Sequence, residues 1–461
     1  MYMNNLKYKH KRLNITDLKN NYPERFGRFV MALKNLEESG DWYRICGIHG
    51  NTFKPNDPCV LCPTDVDTVT KLGETGEPFY CKHSVYSFIA WHTPYVYQFE
   101  LLLNKYNKYE KEEDNYYITL PYLDLTDFTQ DFTFLNDPTI SIYYDKKKIT
   151  IENPLASAYF YKDGVKTKTT RGGFLTPTNH KQRSQLNTVK KQLNNTLYAV
   201  NYEQFSSVPV NHKPANVIVN YVPLETPHNQ LHDIIGGDSG NMSSVDIAAF
   251  DPIFWLHHCN MDRHYYSWMY YNTKGFSESI YPDKMLDNTY EKTLAPFTNK
   301  YIYANECINY NYGWENSEMI FMRIKDILNL EKLPFTYDII KPTPKQELKA
   351  FIEFIDIPIP METVTISAYI HLKTDILNKF IHYAGSTTWF GINRKEKVCW
   401  RCDVTRTNLK IDIEEYLEFN KITKDNINKY NLVIEGEGRL IKKTYIEKDL
   451  VRDGSLELII L

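Results

Sequence analysis

Six of the thirteen histidines in this 461-residue chain fall into two groups whose spacing suits metal binding. Histidine offers a neutral, basic nitrogen near pH 7, and imidazole suits copper, zinc and iron. His228 and His232 are four residues apart, so on a helix both leave one face and can meet one ion. Gly236-Gly237 and the loop to Phe250 separate them from the next helix, which must supply a third ligand. Asp251 reads as the N-cap of that helix and Pro252 as its first residue, with the helix running to about Tyr271. It carries His257 and His258. Neighbours on a helix point about 100° apart, so only one of the pair can face the same ion. Phe254, four residues before His258, is expected beside the metal.

The other group has a different geometry. His83 and His92 are nine apart, which on one helix would put them on opposite sides. His83, behind Pro78-Phe-Tyr-Cys81, is therefore expected in a loop, and His92 on an apolar, aromatic helix over 84–108. His49, in Gly47-Ile-His49-Gly50, completes the set. Three imidazoles per metal with one open position suit oxygen chemistry, because O2 must reach both ions. Taken singly, an HxxxH pair is more often a surface pair and a histidine before glycine a turn residue. The conjunction favours ligands, and the grouping reads as a cage for two copper ions.

The elements that must position these residues divide the chain. Residues 24–38 carry Phe26, Phe29, Val30, Leu33 and Leu36 at helical spacing, ending before Gly40. Residues 115–220, rich in Asn, Thr, Lys and Tyr, read as loops and short helices. Lys341-Pro-Thr-Pro-Lys345 resembles a linker. Beyond it, Val364–Ile370, Leu409–Ile413 and Leu456–Ile460 alternate like strands, which predicts a C-terminal β-sandwich. The expected division is a core over 1–315, a linker over 316–345 and a strand domain over 346–461.

Bulk properties narrow the function classes. A net charge of -3 gives no basic field, which excludes a nucleic-acid binder. The 42% hydrophobic and 24% charged content suits a soluble globular protein, and no apolar run is long enough for a bilayer. The 36 Tyr and 23 Phe suit an aromatic core or pocket. The basic start, Met1 to Arg12, leads into Asn14-Ile-Thr-Asp17 and not into an apolar segment, so no secretory signal is read and a cytoplasmic location is expected. The sequons at Asn14, Asn194 and Asn241 are then unused, and the eight cysteines are expected as thiols. Cys46, Cys259 and Cys307 read as core thiols, and Cys59-Val-Leu-Cys62 as a turn-region pair or a zinc site.

The line Ala248-Ala-Phe-Asp-Pro-Ile-Phe-Trp-Leu-His-His-Cys-Asn-Met-Asp-Arg263 resembles the signature of the type-3 dicopper proteins, the tyrosinases, catechol oxidases and molluscan haemocyanins. Cys81-x-His83-x8-His92 matches their first copper site. The resemblance covers about 20–315 and 345–461, and only loosely 105–220. It implies a mainly α core, a four-helix bundle with long loops holding the dicopper site, plus the β-sandwich. It implies His49, His83 and His92 on one copper and His228, His232 and His258 on the other, with His257 a neighbour and Phe254 a gate. Tyr310-Asn-Tyr312 resembles the tyrosine motif that closes the core, and Tyr383-Ala-Gly-Ser386 the family's C-terminal domain.

The same resemblance implies small phenols and O2 as partners, in a monomer or small homo-oligomer. Glu225 and Asn229 match positions that hold a base-activating water; a Glu that only caps or orients is the alternative. Asp262 reads as a second partner of the site or a structural one. Cys81 is expected to form a thioether to His83. Cys399-Trp-Arg-Cys402 resembles a copper-loading pair, alternatively a disulfide or two buried thiols. Phe390, nine residues before Cys399, resembles a plug that keeps the enzyme latent until the linker is cut. The leading expectation is a phenol oxidase acting on mono- and diphenols. A haemocyanin-like oxygen carrier and a catechol oxidase are the alternatives.

Overall fold

The computed structural model describes residues 10–50, 81–108, 117–162, 165–199, 202–207, 222–272, 293–298, 300–303, 306–309, 321–327, 333–340, 350–358, 364–374, 382–389, 406–422, 426–438, 444–449 and 457–460. In chain order the helices that matter here are α1 (Ile15–Asn21), α2 (Pro23–Glu37), α3 (Gly40–Gly47), α4 (Phe88–Lys105), α5 (His180–Thr196), α6 (Tyr202–Ser206), α7 (Glu225–Gly236) and α8 (Pro252–Asn272). Among the described residues no helix is long and apolar enough to cross a membrane. Contacts gather the chain into two compact units.

The first unit joins 1–82, 87–170 and 245–342, and holds α1 to α4 and α8. α4 is buried on nearly every side, as its apolar and aromatic composition demands. Asp251 caps α8: its Oδ1 accepts the Ile253 N–H at 2.9 Å, and Pro252 sits where no amide is needed. Trp255 of α8 stacks on Phe99 of α4 with ring centroids 3.9 Å apart. Close by, the buried Arg12 guanidinium pairs with Glu100 of α4 at 2.7 Å and Asp262 of α8 at 3.0 Å. Tyr337 donates to Asp262 at 2.6 Å and accepts from Arg12 at 2.9 Å. Arg12 lies on strand β1 (His10–Arg12), which pairs in parallel with Phe335–Tyr337. Within 316–345, therefore, residues 335–337 are bonded into this unit.

Between 115 and 220 the structure holds more order than composition suggests. Two antiparallel hairpins, Thr139–Tyr144 with Lys147–Glu152 and Tyr159–Lys162 with Val165–Lys168, precede the 17-residue α5. The first turns at Asp145-Lys146, both at positive φ, which strand alternation alone does not announce. α5 is polar, with Leu186, Val189 and Leu193 as its buried stripe, and Asn179 caps it by accepting from Gln182 at 3.0 Å.

The second unit joins 83–86, 171–244 and 343–461, and so holds α5 to α7 together with two antiparallel sheets. Ala350–Pro358 is the central strand of a three-stranded sheet, between Arg406–Asp412 and Glu457–Ile460. Val364–Leu372 lies inside the four-stranded sheet, between His382–Trp389 and Tyr430–Gly438, with Thr444–Asp449 at the edge. Val364, Ile366, Ala368 and Ile370 alternate inward and share one apolar cluster with Ile352, Phe354, Ile411, Leu432 and Ile434, drawn from both sheets.

Candidate metal centre

α7 begins at Glu225 and stops at Gly237, whose φ of +57° no L side chain adopts comfortably. The Gly237 amide bonds to Asp233 O at 2.7 Å, and Gly172, Gly173 and Phe174 donate to the carbonyls of Gly236, Ile235 and Ile234. A Cβ on Gly173 would collide with Ile234 O, so this approach needs glycine. The result is a short, buried helix with His228 and His232 on one face, their ring centroids 4.5 Å apart.

Each ring is held from behind. His232 Nδ1 meets Met242 O at 2.8 Å, and His228 Nδ1 meets Asn229 Oδ1 at 2.8 Å. His49, just past α3, places Nδ1 3.0 Å from Val245 O, and His92 on α4 places Nδ1 2.7 Å from Phe88 O. An acceptor oxygen at Nδ1 selects the tautomer that turns the lone pair of Nε2 outward. Burial pushes His232 down to about 4, although its bond to Met242 raises it, so the ring is neutral and ready to ligate near pH 7.

Two groups of buried side chains bring their ligand atoms within 4.8 Å of one another: His49, Cys81, His83 and His92, then His228, His232, His257 and His258. Members of the two groups are themselves close, with His92 stacked 4.5 Å from His258 and His83 5.7 Å from His228. Phe254 packs against both His258 and His49, at 4.1 and 4.7 Å. The His257 ring lies 5.2 Å from that of His258. Imidazole-rich donor sets with no carboxylate suit copper and oppose magnesium or calcium.

Other expected residues are placed as follows. Cys81 is a buried thiol 3.6 Å from His92 Nε2. Glu225 accepts the Ser84 amide at 2.7 and 3.0 Å and the Ser207 hydroxyl; burial pushes its carboxyl up to about 7 despite these two bonds. Asp262 serves the Arg12 node and also accepts from Thr93 at 2.6 Å. Phe390, Cys399, Cys402, Cys59, Cys62, Tyr310 and Tyr312 lie outside the described residues. Sequence reasoning missed Ser84, Ser207, Arg12 and the carbonyls of Val245 and Met242.

Residues 39–271, about half of the chain, match the common central domain of tyrosinase. The chain belongs to the tyrosinase family. It is 30% identical to a tyrosinase of Neurospora crassa over 312 residues, 58% of this chain and 44% of that one. It spans about half the length of the curated relatives it matches. Its fold is similar to that of the Burkholderia thailandensis tyrosinase, with TM-score 0.63 at 18% identity, covering 95% of this chain and 100% of that one. A functional unit of octopus haemocyanin is as similar, with TM-score 0.64 at 17% identity, covering 98% and 100%. The cofactor of this tyrosinase-family site is a pair of copper ions, which the two histidine groups suit.

Proposed function

We propose that this chain is a phenol oxidase that o-hydroxylates monophenols and oxidises o-diphenols to o-quinones with O2. The observation that carries the proposal is the pair of buried, preorganised histidine groups beside a carboxylate poised near neutrality. His49, His83 and His92 would hold one copper and His228, His232 and His258 the other. His258 is preferred to His257 because its ring faces His92 and Phe254. When bound, the copper pair supplies activated O2 at the ring carbon next to the phenol oxygen. The remaining work falls to the chain. Phe254 offers an apolar face for a phenol ring. Asn229 holds the His228 ring in its ligating tautomer. Glu225 accepts the phenol proton, a task suited to a carboxyl near 7.

A second reading, a catechol oxidase, is favoured by one fact: Glu225 is already engaged by Ser84 and Ser207, a role that needs no proton transfer. Oxygen uptake with tyrosine and with L-DOPA separates the two. Monophenol turnover should fall as pH drops below 7 in the parent, and lose that limb in Glu225→Gln. L-DOPA turnover without tyrosine turnover makes it a catechol oxidase, and reversible O2 binding without either makes it a carrier.

The architecture proposed around the site is a four-helix bundle with a β-sandwich, which the apolar cluster shared by the two sheets supports. Latency is part of the proposal, with Phe390 occupying the substrate pocket. Phe390 follows His382–Trp389, a strand tied to α7, where Gln230 donates to Ser386 O at 3.0 Å; the neighbouring strand Val364–Leu372 is tied too, through Thr365, which donates to Asp233. A Cys81–His83 thioether would fix the ring further, forming an S–C bond as O2 takes up both hydrogens. Copper-loaded protein should then weigh less than its sequence by those two hydrogens; an unreduced mass rejects the bond.

A further inference from the structure

His83, like His49, stands on no helix. It lies in a short turn before α4, and the next residue, Ser84, has φ +54°, an unusual conformation for a residue with a side chain. Such a turn holds its shape only where its surroundings over-determine it. Three hydroxyls from one segment do this. Tyr202 and Ser206 of α6 both donate to Tyr86 O, at 2.6 and 2.7 Å. Ser207, the next residue, donates to Glu225, and Glu225 in turn accepts the Ser84 amide with both oxygens. The segment is itself anchored, since the Leu224 amide bonds to Phe205 O at 2.7 Å. Tyr202 and Ser206 are fully buried and Ser207 is 2% exposed, so water does not compete for these bonds.

We propose that Tyr202, Ser206 and Ser207 are positioning residues that clamp the His83 turn in its copper-binding shape. The inference rests on the reading of His83 as a copper ligand. The hydroxyls act through the backbone that follows it: Ser207 through Glu225 on Ser84, the other two on Tyr86. The clamp is separate from any bond to Cys81, which would act on the ring and not on the turn.

The test is copper content and copper loss in the full-length protein. Ser207→Ala, Tyr202→Phe and His83→Ala are loaded with copper, analysed for metal per chain, and exposed to a Cu(I) chelator. The parent should hold two coppers and release them slowly. His83→Ala should hold one. Ser207→Ala and Tyr202→Phe should release one of the two about 10- to 100-fold faster than the parent, and the other at the parent rate. Tyr202→Phe removes only a hydroxyl, so it remains informative if Ser207→Ala folds poorly. Parent-like release from both hydroxyl variants overturns the clamp while leaving the ligand reading intact. Equal acceleration of both coppers also overturns it, marking a general loss of stability. Two tightly held coppers in His83→Ala overturn the ligand reading and the clamp with it.

Discussion

Glu225 and His232 share α7, and burial moves their titrations in opposite directions. It raises Glu225 from 4.5 to about 7 and lowers His232 from 6.5 to about 4. A carboxyl raised on folding contributes stability that is full below its unfolded value and is lost as pH rises to 7. A histidine depressed on folding contributes stability that is full above its unfolded value and is lost as pH falls to 4. Between about 4.5 and 6.5 the two slopes oppose each other. Glu225→Gln removes the first, so the stability of the copper-free variant should climb more steeply with pH across this window than that of the parent. Denaturant melts at several pH values test this; parallel curves would refute it. Asn229→Ala should weaken one copper about 10- to 100-fold by freeing the His228 ring, measured by competition with a chelator. The histidines were legible from spacing because metal ligands must converge. The backbone carbonyls behind His49, His92 and His232 were not, because a backbone carbonyl carries no residue identity.

Among the elements, α2, α4 and α8 could be read directly, since each buries a face or all sides, and α8 also has a strong start signal in Asp251-Pro252. The strand Phe335–Tyr337 could not: its partner, His10–Arg12, lies at the other end of the chain. The node it completes is costly to disturb. Arg12 is fully buried and its guanidinium lies 3.6 Å above the Phe335 ring. Arg12→Ala would leave Glu100 and Asp262 facing a void with no countercharge from β1, and should cost about 3–5 kcal/mol in urea unfolding. A loss under about 1 kcal/mol would show that the carboxyls find other partners.

For the whole molecule, the Arg12 node decides where the chain can be cut. Cleavage between Lys341 and Lys345 leaves Tyr337 in place, whereas a chain ending at Leu330 lacks it. The first should be soluble, bind two coppers and oxidise L-DOPA faster than the uncut protein; the second should fail to fold. Equal L-DOPA turnover before and after the first cut would reject latency. Gln230→Ala loosens the strand that precedes Phe390, so it should narrow the gap between uncut and cut activity, read by oxygen uptake. The linear division at 316–345 and the compact units differ for one reason. α5 and α7 contact the strand His382–Trp389, and such contacts are invisible to local composition.

What the sequence determined by itself was the chemistry: which residue types recur at ligand spacing, which helices carry them, and which family they resemble. Those are local facts, set by periodicity, caps and side-chain identity. Only the tertiary structure decided what stands behind the candidate ligands: Met242 O behind His232, Val245 O behind His49, and the hydroxyls of 202–207 behind the His83 turn. Those bonds join residues 10 to about 200 positions apart, mostly through backbone atoms that every residue shares. Spacing cannot encode them, and packing alone brings them together.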